Sequence, residues 1–592
     1  TEEKWQKCSL CGERSALIDL DLDKLESAPD YVNEMIEKFR YKFKDDLDEK
    51  GRRNALYYKR LKDFWKKMAD VFPGHIKENE HLCAVCLVKR LAPKIIYESV
   101  KENAKKNQKS PFFESIVKGF DYHYPSTGSI AIAPFIKKAF DEKVDFSPIS
   151  KTIKDLLEKA SNDNDRKKIK DFLDAHFTEG RTVPAIKERI IPKDIAGERF
   201  EGDFEPEWFY DESFSRFYDE LEHQRRIGVL KEVEYKEKWN WAKKVENVVE
   251  RIREIAKKEL KDKYHLPRYY AAVYLDGDNL GKWLRGEKAP KIEDVFHPDF
   301  LKAIYEKDET RKDFEKIKNL KRPVTPAIHR AISSALRDFA LEVVPYVVEH
   351  YLGVVVYSGG DDTLFLMPLE NLFQTLIALR KLYSGERFVG EFKFRVKDSD
   401  GEKIKVRRFE SDKGFIKIYE RDEGEKHDEK RHLKEIIRVM GTKATLSAGV
   451  AIAHYLDPLD ITLSKARKAL KDAKNAGRNR AGFNVVLHSG KERKAVVPWN
   501  FVETMERFRV EVAGGFSPRF LRTLYQYIDV YQDIPDAFDA EFLKFGARGQ
   551  GEGAEALLCD LIDARRNNDL EPKKFVEALL IADFVVREEG SK

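Results

Sequence analysis

Four aspartates lie in two short stretches whose residue types point to metal and phosphate chemistry. In "AVYLDGDNLG" Asp276 closes an apolar run and Asp278 follows two positions later. In "VVVYSGGDDTLFLMP" Asp361 and Asp362 sit at a tip between two apolar runs. Gly359 and Gly360 allow the positive φ that a tight two-residue hairpin turn demands. Taken alone, GGDD is equally well an ordinary turn, because Gly and Asp are default turn residues. Asp276 changes that balance. If its strand lies beside the hairpin, three carboxylates converge, and converging carboxylates need a cation. Hard oxygen donors suit Mg2+ or Mn2+. Such an ion orients nucleotide phosphates and neutralises developing charge.

A third stretch, "DAKNAGRNRAG", sets Lys474 and Arg478 four apart. On one helix they would share a face and could bind a phosphate tail. The plain alternative is a solvated basic helix end. The cysteines form two CxxC pairs, Cys8 with Cys11 and Cys83 with Cys86. Four thiolates around Zn2+ make a closed structural site. The long intervening segment weakens the spacing argument, and a redox pair or buried thiols are the alternatives. His75 and His81 are spare ligands that read better as surface residues. Cys559, in "EALLCDLI", reads as a core residue of a helix.

The elements that must position these groups follow from texture. The chain has 592 residues, 36% charged, with a net charge of +5. That small excess does not by itself indicate a nucleic-acid-binding field. No apolar run reaches the ~20 residues of a membrane span and no signal peptide is visible, so a cytoplasmic protein without a membrane partner is expected. We expect four regions: 1–100 with the zinc pairs, 101–266 mainly helical, 267–490 a palm-like α+β domain, and 491–592 all-α. From 267 on, the pattern reads strand, helix, hairpin, helix, strand, helix, strand, a split βαβ layout. Such a layer buries one sheet face and leaves the other open to a ligand or partner. Residues 387–435 are charge-dense and read as an inserted hairpin with a mobile loop. "YPSTGSIAIAPF" reads as a break followed by a short apolar run. "TPAIHRAISSALRDFALEVVPYVVEH" reads as one helix. "RFRVEVAGGFSPRFLRTLYQY" interleaves basic and aromatic residues, as RNA or displaced DNA strands would require, or as a core helix with a charged face would.

Asp276 in "YLDGDNLG", the "YSGGDD" hairpin, the "LSAGVAIAH" strand and the "ALKDAKNAGRNR" helix, in this order, resemble one family. It is the large subunit of type III-B (Cmr-type) CRISPR RNA-guided effector complexes, whose ferredoxin-like palm is related to adenylyl cyclases and GGDEF cyclases. "CSLCGE", "LCAVCLVKRLAP" and "YPSTGSIAIAPF" add to the resemblance. It implies Asp276, Asp361 and Asp362 as catalytic metal ligands. It implies Gly277, Asp278, Asn279, Ser358, Gly359, Gly360, Ser447, Lys474 and Arg478 around the nucleotide. The carbonyl of Gly277 would add a metal ligand. The implied reaction joins ATP molecules 3′ to 5′ into cyclic oligoadenylate once target RNA is bound. The implied partners are the repeat-handle-binding subunit, the small helical subunits, guide RNA and target RNA.

Two family features are not found in the sequence. The His427-Asp428 pair lies in a charged loop, so no HD nuclease and no DNase activity is expected. No first palm precedes the zinc pairs, so turnover is expected only in the assembled complex. Other readings are a nucleotide-binding scaffold subunit without turnover and a stand-alone dinucleotide cyclase using GTP. A template-directed polymerase would need finger and thumb elements that the sequence does not display.

Overall fold

The computed structural model describes residues 125–592 except for short breaks at 179–181, 187, 201, 399–400, 429–431, 488–489, 532–533, 549–552 and 590–592, together with Trp65 and Leu82. Cys8, Cys11, Cys83, Cys86, His75 and His81 lie outside the described residues.

The central sheet begins with β1 (Tyr269–Gly277), β2 (Val354–Gly359) and β3 (Asp362–Pro368). Further along the chain come an inserted four-stranded antiparallel sheet, β4 (Phe388–Asp398), β5 (Gly401–Asp412), β6 (Phe415–Asp422) and β7 (Leu433–Arg438), and then β8 (Leu446–His454), β9 (Arg480–Val486) and β10 (Glu492–Pro498). The central sheet has the order β10-β9-β8-β1-β3-β2. Four consecutive strands, β8-β1-β3-β2, are all antiparallel, the strand order of a ferredoxin-like split βαβ unit. β9 extends the sheet in parallel to β8, and β10 adds an antiparallel edge. The sheet therefore runs past residue 490, where the change to helix was expected.

Both faces of this sheet are covered, contrary to the expected open face. On one face, α4 (Pro326–Glu342), α5 (Val344–His350) and α6 (Leu372–Ser384) bury Phe339, Val347, Phe373 and Leu376 against Val273, Phe365, Met367 and Val450. On the other, α1 (Thr127–Asp141) and α2 (Glu232–Leu260) join a cluster with Tyr270, Ala272, Leu366 and Ala451. The strands are apolar on both faces for this reason, which a half-buried sheet would not be. α3 (Leu280–Leu284) is a short turn of helix after β1, and α7 (Leu459–Asn475) lies on β8 and β9. Its approach depends on two glycines. A Cβ at Gly449 would stand 2.3 Å from the Ala466 carbonyl oxygen, and one at Gly482 would stand 2.2 Å from that of Ala469.

Three local expectations change. "STGSIAIAPF" is not a break but the start of α1, capped by Ser126, whose side chain accepts from the Ser129 amide. The stretch 326–350 is two helices, divided at Val343. The charge-dense insert is a sheet because its charges alternate with apolar residues: Ile416 and Ile418 are buried while Phe415 and Lys417 are exposed. Its apolar side, with Phe392, Phe409 and Ile437, joins the palm core. His427 and Asp428 do lie in a loop.

From Trp499 on, every described element is a helix. Phe508, Phe520 and Leu524 are buried there. Arg507 pairs with Asp560, Arg509 with Glu506 and Glu589, and Arg522 with Asp583. Much of the aromatic and basic pattern is thus core plus ion pairs, with Arg519 and Tyr527 exposed. Cys559 is exposed, a correction, because its helix buries Leu558, Leu561 and Ile562 instead. No described helix is long and apolar enough to cross a membrane.

Candidate metal and nucleotide centre

The strand register brings the three aspartates together. Asp276 pairs across the ladder with Asp362, and Gly359 pairs with Asp362 across the hairpin. The turn is therefore Gly360-Asp361. Only Gly360 has positive φ, at 62°, while Gly359 belongs to the strand. One carboxylate oxygen from each of Asp276, Asp361 and Asp362 lies within 4.8 Å of the others. The Gly277 amide donates to the Asp361 carbonyl at 3.1 Å, which ties the two segments.

Lys474, in the last turn of α7, forms an ion pair with Asp276. One ammonium offsets one of three carboxylate charges. Burial, opposed in part by its own amide, and the nearby Asp276 charge push the Asp361 carboxyl up. Burial, a hydrogen bond with Asp276 and the charges of Asp276 and Asp361 push Asp362 up to about 6. Such a cluster favours a proton or a cation. An all-oxygen donor set of this kind fits Mg2+ or Mn2+.

Arg478 is not on the face that carries Lys474. α7 stops at Asn475, and Gly477, Arg478 and Asn479 all have positive φ, at 118°, 66° and 51°. The helix is ended by Gly477, and Arg478 is exposed in the left-handed turn that follows. Asp278 and Ser447 also depart from their expected role. Asp278 is 3% exposed. It accepts from Ser447 Oγ at 2.7 Å, Thr445 Oγ1 at 2.8 Å and the Asn479 amide at 2.9 Å. Its own amide donates to the Thr445 carbonyl at 2.8 Å. With its oxygens so occupied, Asp278 is a buried structural acceptor, and Ser447 is fully buried as its donor.

Ser358 stands 3.3 Å from the Thr363 hydroxyl across the hairpin. Asn279 takes a left-handed conformation, φ 59°, at the start of α3. Gly277 has no room for a side chain: a Cβ would lie 2.4 Å from Tyr383 Oη and 3.0 Å from Asp361 Cβ. Tyr383 is a site residue that the motifs missed. Burial and the charges of Asp361, Asp278 and Asp276 hold its phenol well above the ordinary range, so it stays protonated. Arg380 and Asn479 were missed too. The available signal was an arginine inside the apolar run "LIALRKLYS".

Residues 269–397 match the family model for Cas10/Cmr2, second palm domain. The chain is 27% identical over 286 residues to the CRISPR system Cmr subunit Cmr2 of Pyrococcus furiosus, covering 47% of this chain and 26% of that protein. It is 23% identical over 266 residues to the Cmr2 subunit of Saccharolobus solfataricus, covering 45% of this chain and 21% of that one. The matches thus span about a quarter of these relatives' length. The solved structure of a type III-B Cmr-beta complex bound to cognate target RNA aligns with 99% of this chain and 57% of its counterpart, at 16% identity and a TM-score of 0.47. Residues 269–397 are thus similar to the second palm domain of Cas10/Cmr2, and the chain is similar to part of the Cmr2 subunit of type III-B complexes.

Proposed function

We propose that the palm binds ATP beside a divalent cation and joins ATP molecules 3′ to 5′ into cyclic oligoadenylate within an RNA-guided effector complex. The observation that carries this reading is the convergence of Asp276, Asp361 and Asp362 within 4.8 Å at the strand ends of a Cas10/Cmr2-type palm. Those carboxylates would hold Mg2+ or Mn2+, which supplies charge neutralisation at the phosphates. Lys474 is near enough to exchange its carboxylate partner for a triphosphate oxygen, and Arg478 is exposed in the turn that follows the helix. Gly277 keeps the strand end clear of side-chain atoms, and protonated Tyr383 backs it. In the reaction, a bond forms from the 3′ oxygen of one ATP to the α-phosphorus of the next. The bond from that phosphorus to pyrophosphate breaks, and the hydroxyl proton leaves to solvent. The chain contributes position and charge and needs no covalent nucleophile.

The partners in this proposal are the repeat-handle-binding subunit, the small helical subunits, guide RNA and target RNA. Cys8, Cys11, Cys83 and Cys86 would hold a structural zinc in the same assembly. The test is to assemble the complex, add ATP, Mn2+ and target RNA, and separate the products by chromatography. Cyclic oligoadenylate that requires target RNA supports the proposal. ATP left intact under those conditions counts against it and favours a scaffold subunit.

A further inference from the structure

A second layer of polar contacts lies behind the carboxylate cluster, and neither Arg380 nor Asn479 in it was singled out by the motifs. Arg380, on α6, is 7% exposed. Its Nε and Nη2 both donate to Asn479 Oδ1, at 3.1 and 2.9 Å. Its Nη1 donates to Ser384 Oγ and, at 3.0 Å, to Glu386. Ser384 Oγ in turn donates to the Ala444 carbonyl at 2.9 Å. Asn479 therefore has two anchors: its side chain is held by Arg380 and its amide by Asp278 at 2.9 Å.

The position of Asn479 gives this arrangement its meaning. It ends the run of three positive-φ residues after α7, five residues beyond Lys474 and next to Arg478. Non-glycine residues avoid that region unless something holds them there. Asp278, the second anchor, is two residues beyond the carboxylate of Asp276. The chain of contacts Arg380–Asn479–Asp278 thus fixes the basic turn relative to the acidic strand end. Arg478 makes no side-chain hydrogen bond or ion pair among the described residues, so the backbone alone sets where its guanidinium starts from.

We infer that Arg380 is a positioning residue for the triphosphate: through Asn479 it holds the 477–480 turn, and with it Lys474 and Arg478, at a fixed distance from Asp276, Asp361 and Asp362. The inference rests on the proposal that a metal-bound nucleotide occupies this site. A planar guanidinium suits the task because two of its nitrogens converge on one oxygen while the third donates to Ser384 and Glu386 at the end of its own helix, which an ammonium cannot reproduce. The side-chain partners of Arg380 are Asn479, Ser384 and Glu386, none of them one of the three carboxylates.

The test uses the full chain and two variants, Arg380→Lys and Asn479→Gly. The glycine keeps the amide to Asp278 and tolerates positive φ, so it removes only the link to Arg380. Two readouts are taken: hydrogen exchange of the amides at 476–481, and titration with Mn2+ alone and with Mn2+-ATP. Both variants are expected to speed exchange in that segment. They should weaken Mn2+-ATP roughly ten- to hundredfold, while Mn2+ alone changes by less than about twofold, since its ligands are untouched. Faster exchange with Mn2+-ATP affinity unchanged would overturn the positioning role. Unchanged exchange would overturn the network itself. If the wild-type chain binds Mn2+ but no Mn2+-ATP, the nucleotide reading fails and the positioning role fails with it, whatever the exchange result.

Discussion

Asp276 and Asp278 stand two positions apart in the chain, and the neighbours of each differ in kind. Asp278 is buried and receives three donors, from Thr445, Ser447 and the Asn479 backbone. Asp276 is partly open, faces two further carboxylates and has one counter-ion, Lys474. A carboxylate whose oxygens are filled by hydrogen-bond donors serves the fold, because removing it leaves those donors unpaired. Carboxylates gathered with too few partners cost stability, a cost that a bound cation would offset. The β1 end carries one of each, and their closeness in "DGDN" conceals that difference from anyone reading the sequence.

The sharpest way to break this comparison is to delete the satisfied acid. Asp278→Ala should cost about 3 kcal/mol of stability by stranding buried donors, read as a lower urea midpoint. An unchanged midpoint would mean that Asp278 is not structural. Next in size is Lys474→Met. With its internal cation gone, the cluster should bind Mn2+ alone several-fold more tightly, yet bind Mn2+-ATP about tenfold more weakly, because a phosphate contact is lost. If both affinities move together, Lys474 does not exchange partners as described.

The pH dependence sharpens the comparison from the other side. Asp362 is raised to about 6 by burial and by Asp276 and Asp361. Protons should therefore compete with Mn2+ below about pH 6, with affinity falling up to about tenfold per pH unit for each displaced proton. A flat profile from pH 5 to 8 would contradict the raised value. The same shift has a stability consequence in the metal-free protein. A carboxyl whose folded value is raised favours the fold when protonated. That contribution is complete below the ordinary carboxylate range and is lost as pH rises through about 6. Asp362→Asn should then raise the metal-free melting temperature by about 1–2 °C at pH 8 and hardly at pH 4, a small effect because Asp362 is exposed. A lower melting temperature at pH 8 would reverse the assigned sign.

The sequence disclosed the parts of the site that rest on local pattern. Apolar runs ending in Asp276 and in GGDD made the strands and their proximity legible, since a split βαβ unit must pair β1 with β3. What escaped reading depends on tertiary contact. The end of α7 at Gly477 separated Lys474 from Arg478, although their spacing alone allowed a shared face. The contacts of Asp278 come from strand β8 and from Asn479, some 170 and 200 residues away, and leave no spacing signature. Residues 387–435 read as a hairpin with a mobile loop, and the rest of the four-stranded sheet escaped because charge hid a period-two alternation; the helices over the second sheet face were credited to a separate region.

The measurement that bears most directly on the central claim is calorimetric titration of ATP into the chain with Mn2+, beside the Asp361→Ala/Asp362→Ala double variant. Metal-dependent ATP binding in the wild type, lost in a variant that keeps its fold, is the predicted result. Equal binding by both proteins would contradict the account, because the nucleotide would then lie away from the carboxylates of β1 and the β2–β3 turn.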